Sequence, residues 1–127
     1  MGTAAQESDC GGAIAQYGGP ALGVWQMEPA TESSVYSMFA LKPVPMASVI
    51  KAVMLSGIPR PEQLVGNLYY SCLMARLLYF SIPSPLPAAG DLEGQWLYYK
   101  AHYNSELGAA TRDQYMAAWT RIRAKLK

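Results

Sequence analysis

Carboxylates are the side chains of this sequence that are best suited to chemistry. His102 is the only histidine, and no carboxylate–serine pair flanks it in a nucleophile elbow, so Ser-His-Asp catalysis is not favoured. One histidine and two distant cysteines do not form a metal-ligand pattern, and no glycine-rich phosphate loop is present. No metal ion or other cofactor is therefore predicted. The chemistry that this elimination leaves is that of carboxylates, and glycoside cleavage makes the best use of them, because a carboxylic acid there protonates the leaving oxygen.

Glu7 is the first candidate acid, and it lies in the stretch "AAQESDCGG", residues 4 to 12. The composition of residues 1–9 favours a helix, which Gly11 and Gly12 are expected to stop. In the last turn of such a helix, the helix dipole disfavours ionisation, and burial would raise the carboxyl pKa further. The alternative is a solvated glutamate at an ordinary helix end, which is the commoner position of this residue type.

The composition predicts a single globular domain that spans residues 1–127. A hydrophobic fraction of 51%, a charged fraction of 15% and a net charge of +1 argue against disorder and against nucleic acid as a partner. Nine tyrosines and three tryptophans exceed what a small core needs, so some of them are expected to face a ligand such as a sugar. The longest apolar stretch carries Asn67 and Arg76 and is too interrupted for a membrane span.

The elements that must position these residues are predicted to be almost all helical. Residues 10–24 hold five glycines and a proline, which indicates a loop or a small hairpin. Thr31 and Thr111 are predicted helix N-caps, and Pro61 is a predicted helix start. The expected helices span 1–9, 31–39, 46–57, 61–80, 91–104 and a last segment from Thr111. The predicted fold class is mainly α with at most a small β-hairpin.

Cys10 and Cys72 leave two alternatives open. They could form one bridge if their geometry allowed it, or they could be two buried free thiols.

Three segments in order resemble the lytic transglycosylases of the soluble type and their relatives, the goose-type lysozymes. These are "QES", then "GPALGVWQMEPAT", then "YYKAHYNSELG", with "NLYYSCLMARLLY" where that family has its long central helix. The family has a Glu-Ser pair at a helix end, a "G-x-x-G-L-M-Q-x-x-P-x-T" segment and a late "A-Y-N" segment. The resemblance covers residues 4 to about 118 and implies a lysozyme-like domain that cleaves peptidoglycan.

The resemblance implies a role for each matched residue. Glu7 would protonate the glycosidic oxygen between N-acetylmuramic acid and N-acetylglucosamine. Gln26 would bind sugar from the floor of the groove, although it could equally be a turn residue. The Tyr103 hydroxyl would reach the catalytic carboxyl, and the Asn104 amide would bind an acetamido group.

Glu28 departs from the methionine of the transglycosylase motif and matches an aspartate of the goose-type lysozymes. With one carboxylate, the substrate's acetamido group attacks and a 1,6-anhydro product forms. A second carboxylate about 6.5–9.5 Å away could activate water and give hydrolysis instead. Glu28 is therefore a candidate second carboxylate, or else a surface residue ahead of Pro29.

The implied partner is the glycan strand of peptidoglycan. The N-terminus has no basic segment followed by an apolar one, so no signal peptide is predicted, and the resemblance implies a virion-associated or released enzyme. A helix as short as 1–9 needs support, which could come from a virion component or another protein. The alternatives are an inactive lysozyme-like virion or glycan-binding protein, and an unrelated helical interaction protein.

Overall fold

The computed structural model describes residues 1–41, 45–104 and 108–125, and the fold is mainly helical, as predicted. Two isolated antiparallel bridges, Ala15 with Leu22 and Leu22 with Met27, are the β pairing of the described ranges. None of the helices in those ranges combines the length and apolarity needed to cross a membrane. The helices are α1 (Gly2–Ser8), α2 (Pro29–Phe39), α3 (Pro45–Val53), α4 (Arg60–Gly66), α5 (Leu68–Phe80), α6 (Leu92–Tyr99), a π-helix (Lys100–Asn104) and α7 (Arg112–Lys125).

α1 ends earlier than the glycine pair that was expected to stop it. Asp9 and Cys10 already have positive φ angles of 53° and 56°, and Gly11 follows with 105°. The Asp9 and Cys10 amides bond back to the Ala5 and Ala4 carbonyls, which satisfies groups that the last helical turn leaves unpaired. Glu7 nevertheless lies in the last turn of the helix, as predicted.

α2 begins at Pro29, two residues before the predicted cap at Thr31. Glu28 is the N-cap, with an extended backbone (φ −74°, ψ 145°), and its carbonyl accepts from the Glu32 amide at 3.0 Å. The fixed φ of proline suits the first helical position, where the missing N–H costs nothing. The predicted end at Phe39 is confirmed, and so is the start of α7 directly after Thr111.

The predicted continuous helix 61–80 is wrong, because the chain breaks at Asn67 (φ −126°, ψ 94°). The Asn67 side chain accepts from the Tyr70 amide at 3.1 Å and donates to the Val53 carbonyl at 2.7 Å. It also donates to the Gln63 side chain at 3.1 Å. These bonds cap α5 and tie it to the end of α3, which itself stops at Val53 rather than at the predicted Gly57.

The main core surrounds α5. Its largest buried side chains come from α3, α4 and α5 and include Ile50, Leu64, Tyr70 and Met74, each at most 1% exposed. A smaller aromatic cluster joins Trp96 and Tyr99 of α6 to Tyr115 of α7. α5 is thus the central helix of the fold, in the stretch where the resemblance implied one.

The short helix α1 is supported by α7. Ala5 packs in a buried cluster with Ala118 and Ile122. Asp9, at the end of α1, accepts from Arg121 at 2.9 Å, and this guanidinium holds the pKa of Asp9 below its ordinary value. The first helix is therefore fixed by the last one.

Both cysteines are free and exposed, so neither the bridge nor the buried-thiol alternative describes them. Cys10 lies in the turn after α1, and Cys72 lies on a solvent-facing side of α5.

Candidate functional site

A cavity of about 650 Å³ lies between the end of α1, the loop before α2 and the end of α6. All five residues that were predicted to act on substrate line this cavity, and they are Glu7, Gln26, Glu28, Tyr103 and Asn104. They come from three distant stretches of the sequence, which the fold brings together. A volume of this size is within the usual range of about 300–1,000 Å³ for ligand sites.

The Glu7 carboxyl is partly buried at the edge of the cavity, in the last turn of α1. The Tyr99 hydroxyl donates a hydrogen bond to its Oε1 atom at 2.6 Å. Burial raises the pKa of Glu7 above its ordinary value of 4.5, and the Tyr99 hydrogen bond opposes this rise without cancelling it. The carboxyl therefore keeps its proton to a higher pH than an exposed glutamate does.

The tyrosine that reaches Glu7 is Tyr99 rather than the predicted Tyr103. The Tyr103 hydroxyl donates instead to the Trp25 carbonyl at 2.7 Å, which ties the π-helix to the loop before α2. The rings of Tyr99 and Tyr103 stack, with their centroids 6.1 Å apart and their planes at an angle of 22°. Burial raises the pKa of both hydroxyls well above the ordinary tyrosine value, so both stay protonated donors.

Ser8 fastens the end of α1 to the loop that carries the second motif. Its hydroxyl donates to the Val24 carbonyl at 2.6 Å and accepts from the Gly11 amide at 2.9 Å. Gly23 lets this loop lie directly against α4, because it has φ +74° and a Cβ there would overlap the Leu64 carbonyl. Ser8 and Gly23 thus set where the loop stands relative to Glu7.

Gln26 is a turn residue that also lies in the lining of the cavity. Its φ angle is 44°, and its amide nitrogen donates to the Gly23 carbonyl at 2.8 Å and the Ala13 carbonyl at 3.3 Å. Its amide nitrogen is therefore used to brace the loop on which it lies.

Glu28 is exposed and lies at the cavity rim, where it caps α2 through its backbone. Its side chain makes no hydrogen bond or ion pair with the residues that the structure describes. The carboxylate is thus accessible from the same cavity as Glu7.

Three polar residues of the site were missed by sequence reasoning, namely Tyr99, Lys100 and Gln6. Tyr99 and Lys100 lie four residues before Tyr103 and Asn104, so helical spacing alone could have placed them on the same sides. Gln6 lines the cavity beside Glu7, and its Oε1 atom is buried without a hydrogen-bond partner among the described residues.

Across residues 1–41, 45–104 and 108–125, no group of three or more His, Cys, Asp or Glu side chains is arranged to hold a metal ion. No family model, curated protein or solved structure matches the chain.

Proposed function

We propose that this protein has a lysozyme-like fold and cleaves the β-1,4 glycosidic bond between N-acetylmuramic acid and N-acetylglucosamine in peptidoglycan. The observation that carries the proposal is the position of Glu7. Its partly buried carboxyl, with a raised pKa, faces a cavity that is also lined by amide, hydroxyl and carboxylate groups. A glycosidase acid needs this combination of a retained proton and access to substrate.

In the proposed reaction Glu7 donates its proton to the glycosidic oxygen, and the C1–O bond of the muramic residue breaks. The acetamido oxygen of the same residue attacks C1 as the leaving sugar departs. The Glu7 carboxylate then takes the proton of the C6 hydroxyl, whose oxygen bonds to C1 and displaces the acetamido oxygen. The product is a 1,6-anhydro sugar, as in a lytic transglycosylase.

Glu28 supplies a second route at the same cavity. Its carboxylate is accessible and makes no ion pair in the described part of the chain, so it can take a proton from an attacking water molecule. Water rather than the C6 hydroxyl then bonds to C1, and the product has a reducing muramic end, as in a muramidase. A virion-associated or released enzyme is the context that we propose for either reaction.

The test is digestion of purified murein sacculi by the parent protein and by the variants Glu7→Gln, Glu28→Gln and Glu62→Gln. Glu62 is an exposed glutamate in the first turn of α4 and outside the cavity, so it is the matched control. We expect the parent and Glu62→Gln to release muropeptides and Glu7→Gln to release none. Mass spectrometry separates the products, because the anhydro sugar is lighter by one water.

The outcomes separate the mechanisms and the alternative function. Anhydro products that persist in Glu28→Gln assign a transglycosylase, whereas reducing products that disappear in it assign Glu28-assisted hydrolysis. If the parent binds sacculi but releases nothing, the catalytic proposal fails and an inactive glycan-binding or virion protein replaces it.

A further inference from the structure

Lys100 holds the side chain of Asn104 in one orientation. Its Nζ atom donates to the Asn104 Oδ1 atom at 2.9 Å and to the Gly108 carbonyl at 2.6 Å. An ammonium group can only donate, so the amide atom that faces it must be the oxygen and not the nitrogen. The reverse orientation would set two donors against each other.

Gly108 restricts the same amide from a second side. A Cβ atom at this position would overlap the Asn104 Oδ1, Cγ and backbone oxygen atoms, so the backbone of Gly108 lies directly against them. Lys100 and Asn104 are four residues apart and lie at the two ends of the π-helix. π-Helical turns are uncommon and occur often at functional sites. Asn104 is therefore fixed by a charged donor and by close packing.

The Nδ2 atom of Asn104 is left as the accessible end of the amide. Asn104 is half-buried and lines the cavity that holds Glu7. Within the described residues Nδ2 has no hydrogen-bond acceptor, and it is not among the fully buried unpaired atoms. The amide therefore offers N–H donors to a ligand, and a ligand that supplies an acceptor satisfies them.

We propose that Lys100 is a positioning residue that makes Asn104 selective for an amide carbonyl of the ligand, such as that of an N-acetyl group. A fixed N–H donor bonds to a carbonyl oxygen and repels the ammonium group of a deacetylated sugar. Lys100 acts through Asn104 and does not touch the ligand. This inference rests on the proposed function for the ligand class, which is an N-acetylated glycan.

The experiment measures binding in the Glu7→Gln background, so that no ligand is consumed. Isothermal titration calorimetry compares tetra-N-acetylchitotetraose with its deacetylated form, both at the same pH. The added substitutions are Lys100→Met, which keeps the side-chain length without the donor, and Asn104→Asp, which keeps an acceptor for Lys100 but has no N–H. Lys51→Met, on the exposed side of α3, is the matched control.

We expect the Glu7→Gln protein to prefer the acetylated oligomer, and Lys51→Met to keep that preference. Lys100→Met and Asn104→Asp should each reduce the affinity ratio about tenfold, the usual effect of one lost hydrogen bond in a binding site. Thermal melts check that each variant is folded; Lys100→Leu replaces Lys100→Met if the latter is unfolded, and Asn104→Ala replaces Asn104→Asp.

Three results would overturn the inference. The first is an unchanged ratio in Lys100→Met, and the second is an equal loss of affinity for both oligomers, which is what a merely structural lysine would give. The third is the absence of any preference in the Glu7→Gln protein. None of these results bears on sacculus cleavage, so failure of this inference is distinguishable from failure of the proposed function.

Discussion

Replacing Tyr99 by Phe should raise the pKa of Glu7 and extend activity to higher pH. The Tyr99 hydroxyl donates to the Glu7 carboxyl at 2.6 Å, and this bond is the interaction that opposes the effect of burial on the Glu7 pKa. A hydrogen bond from a hydroxyl is stronger to a charged carboxylate than to the neutral acid. Removing the Tyr99 hydroxyl therefore destabilises the ionised form of Glu7 more than the protonated form. The active acid would therefore persist to higher pH.

The size of the effect follows from the two strengths of this hydrogen bond. A bond to a charged group contributes about 1.5–3 kcal/mol and a neutral one about 1 kcal/mol, which leaves a difference of about 1 kcal/mol. Since about 1.4 kcal/mol corresponds to one pH unit, the alkaline limb of the activity profile should move up by somewhat less than about one unit. Tyr79 and Tyr103 stay neutral across this range, because burial raises their pKa values.

The assay is the pH dependence of kcat/KM on a soluble glycan fragment, supported by an NMR titration of the labelled Glu7 carboxyl. Tyr103→Phe is the matched control, because its hydroxyl donates to the Trp25 carbonyl and not to the carboxyl. An alkaline limb that stays in place in Tyr99→Phe, or moves equally in both variants, would refute this reasoning.

Three further substitutions test the architecture. Because the pKa of Glu7 in the folded state is raised above 4.5, ionisation of Glu7 destabilises the fold. Glu7→Gln should therefore have a higher Tm than the parent at neutral pH and lose that advantage below about pH 4.5. Equal Tm values at every pH would contradict the raised pKa. Glu32 is fully buried and accepts from the Tyr70 hydroxyl, so Glu32→Ala leaves that hydroxyl unpaired and should cost about 1–3 kcal/mol in urea unfolding; no measurable loss would argue against a stabilising bond. Asn67→Ala removes the cap of α5 and the bond to Val53, so it should cost about 2–3 kcal/mol of unfolding free energy, whereas Asn67→Ser, which keeps a cap acceptor, should lose less.

The sequence predicted those helix ends that depend on residues only a few positions apart. Thr111 preceded α7 as expected, since its hydroxyl accepts from the Gln114 amide at 3.4 Å across three residues. The helical class followed from the expected helices and their cap and stop signals along the chain. The break at Asn67 could not be predicted, because its side chain is held by the Val53 carbonyl, 14 residues away.

The candidate site was predictable in part of its membership and not in its hydrogen bonds. Glu7, Gln26 and Asn104 were placed by motif and line one cavity. Tyr99 rather than Tyr103 bonds to Glu7, whereas Tyr103 lies in the π-helix and bonds to the Trp25 carbonyl. Helical spacing places Tyr99 on the same side as Tyr103, but it does not decide which of the two hydroxyls reaches Glu7.

The packing of α1 on α7 also decides when the acid can be put in place during folding. The bond between Asp9 and Arg121 joins residues 112 positions apart, which is a long loop to close. Contacts of such separation form slowly, so the core around α5 should be assembled before α1 docks. At roughly 5–20 residues per second, a nascent chain waits about 6–22 s between the synthesis of α1 and that of its docking helix. The proton donor of the site would thus reach its position only after α7 has been synthesised.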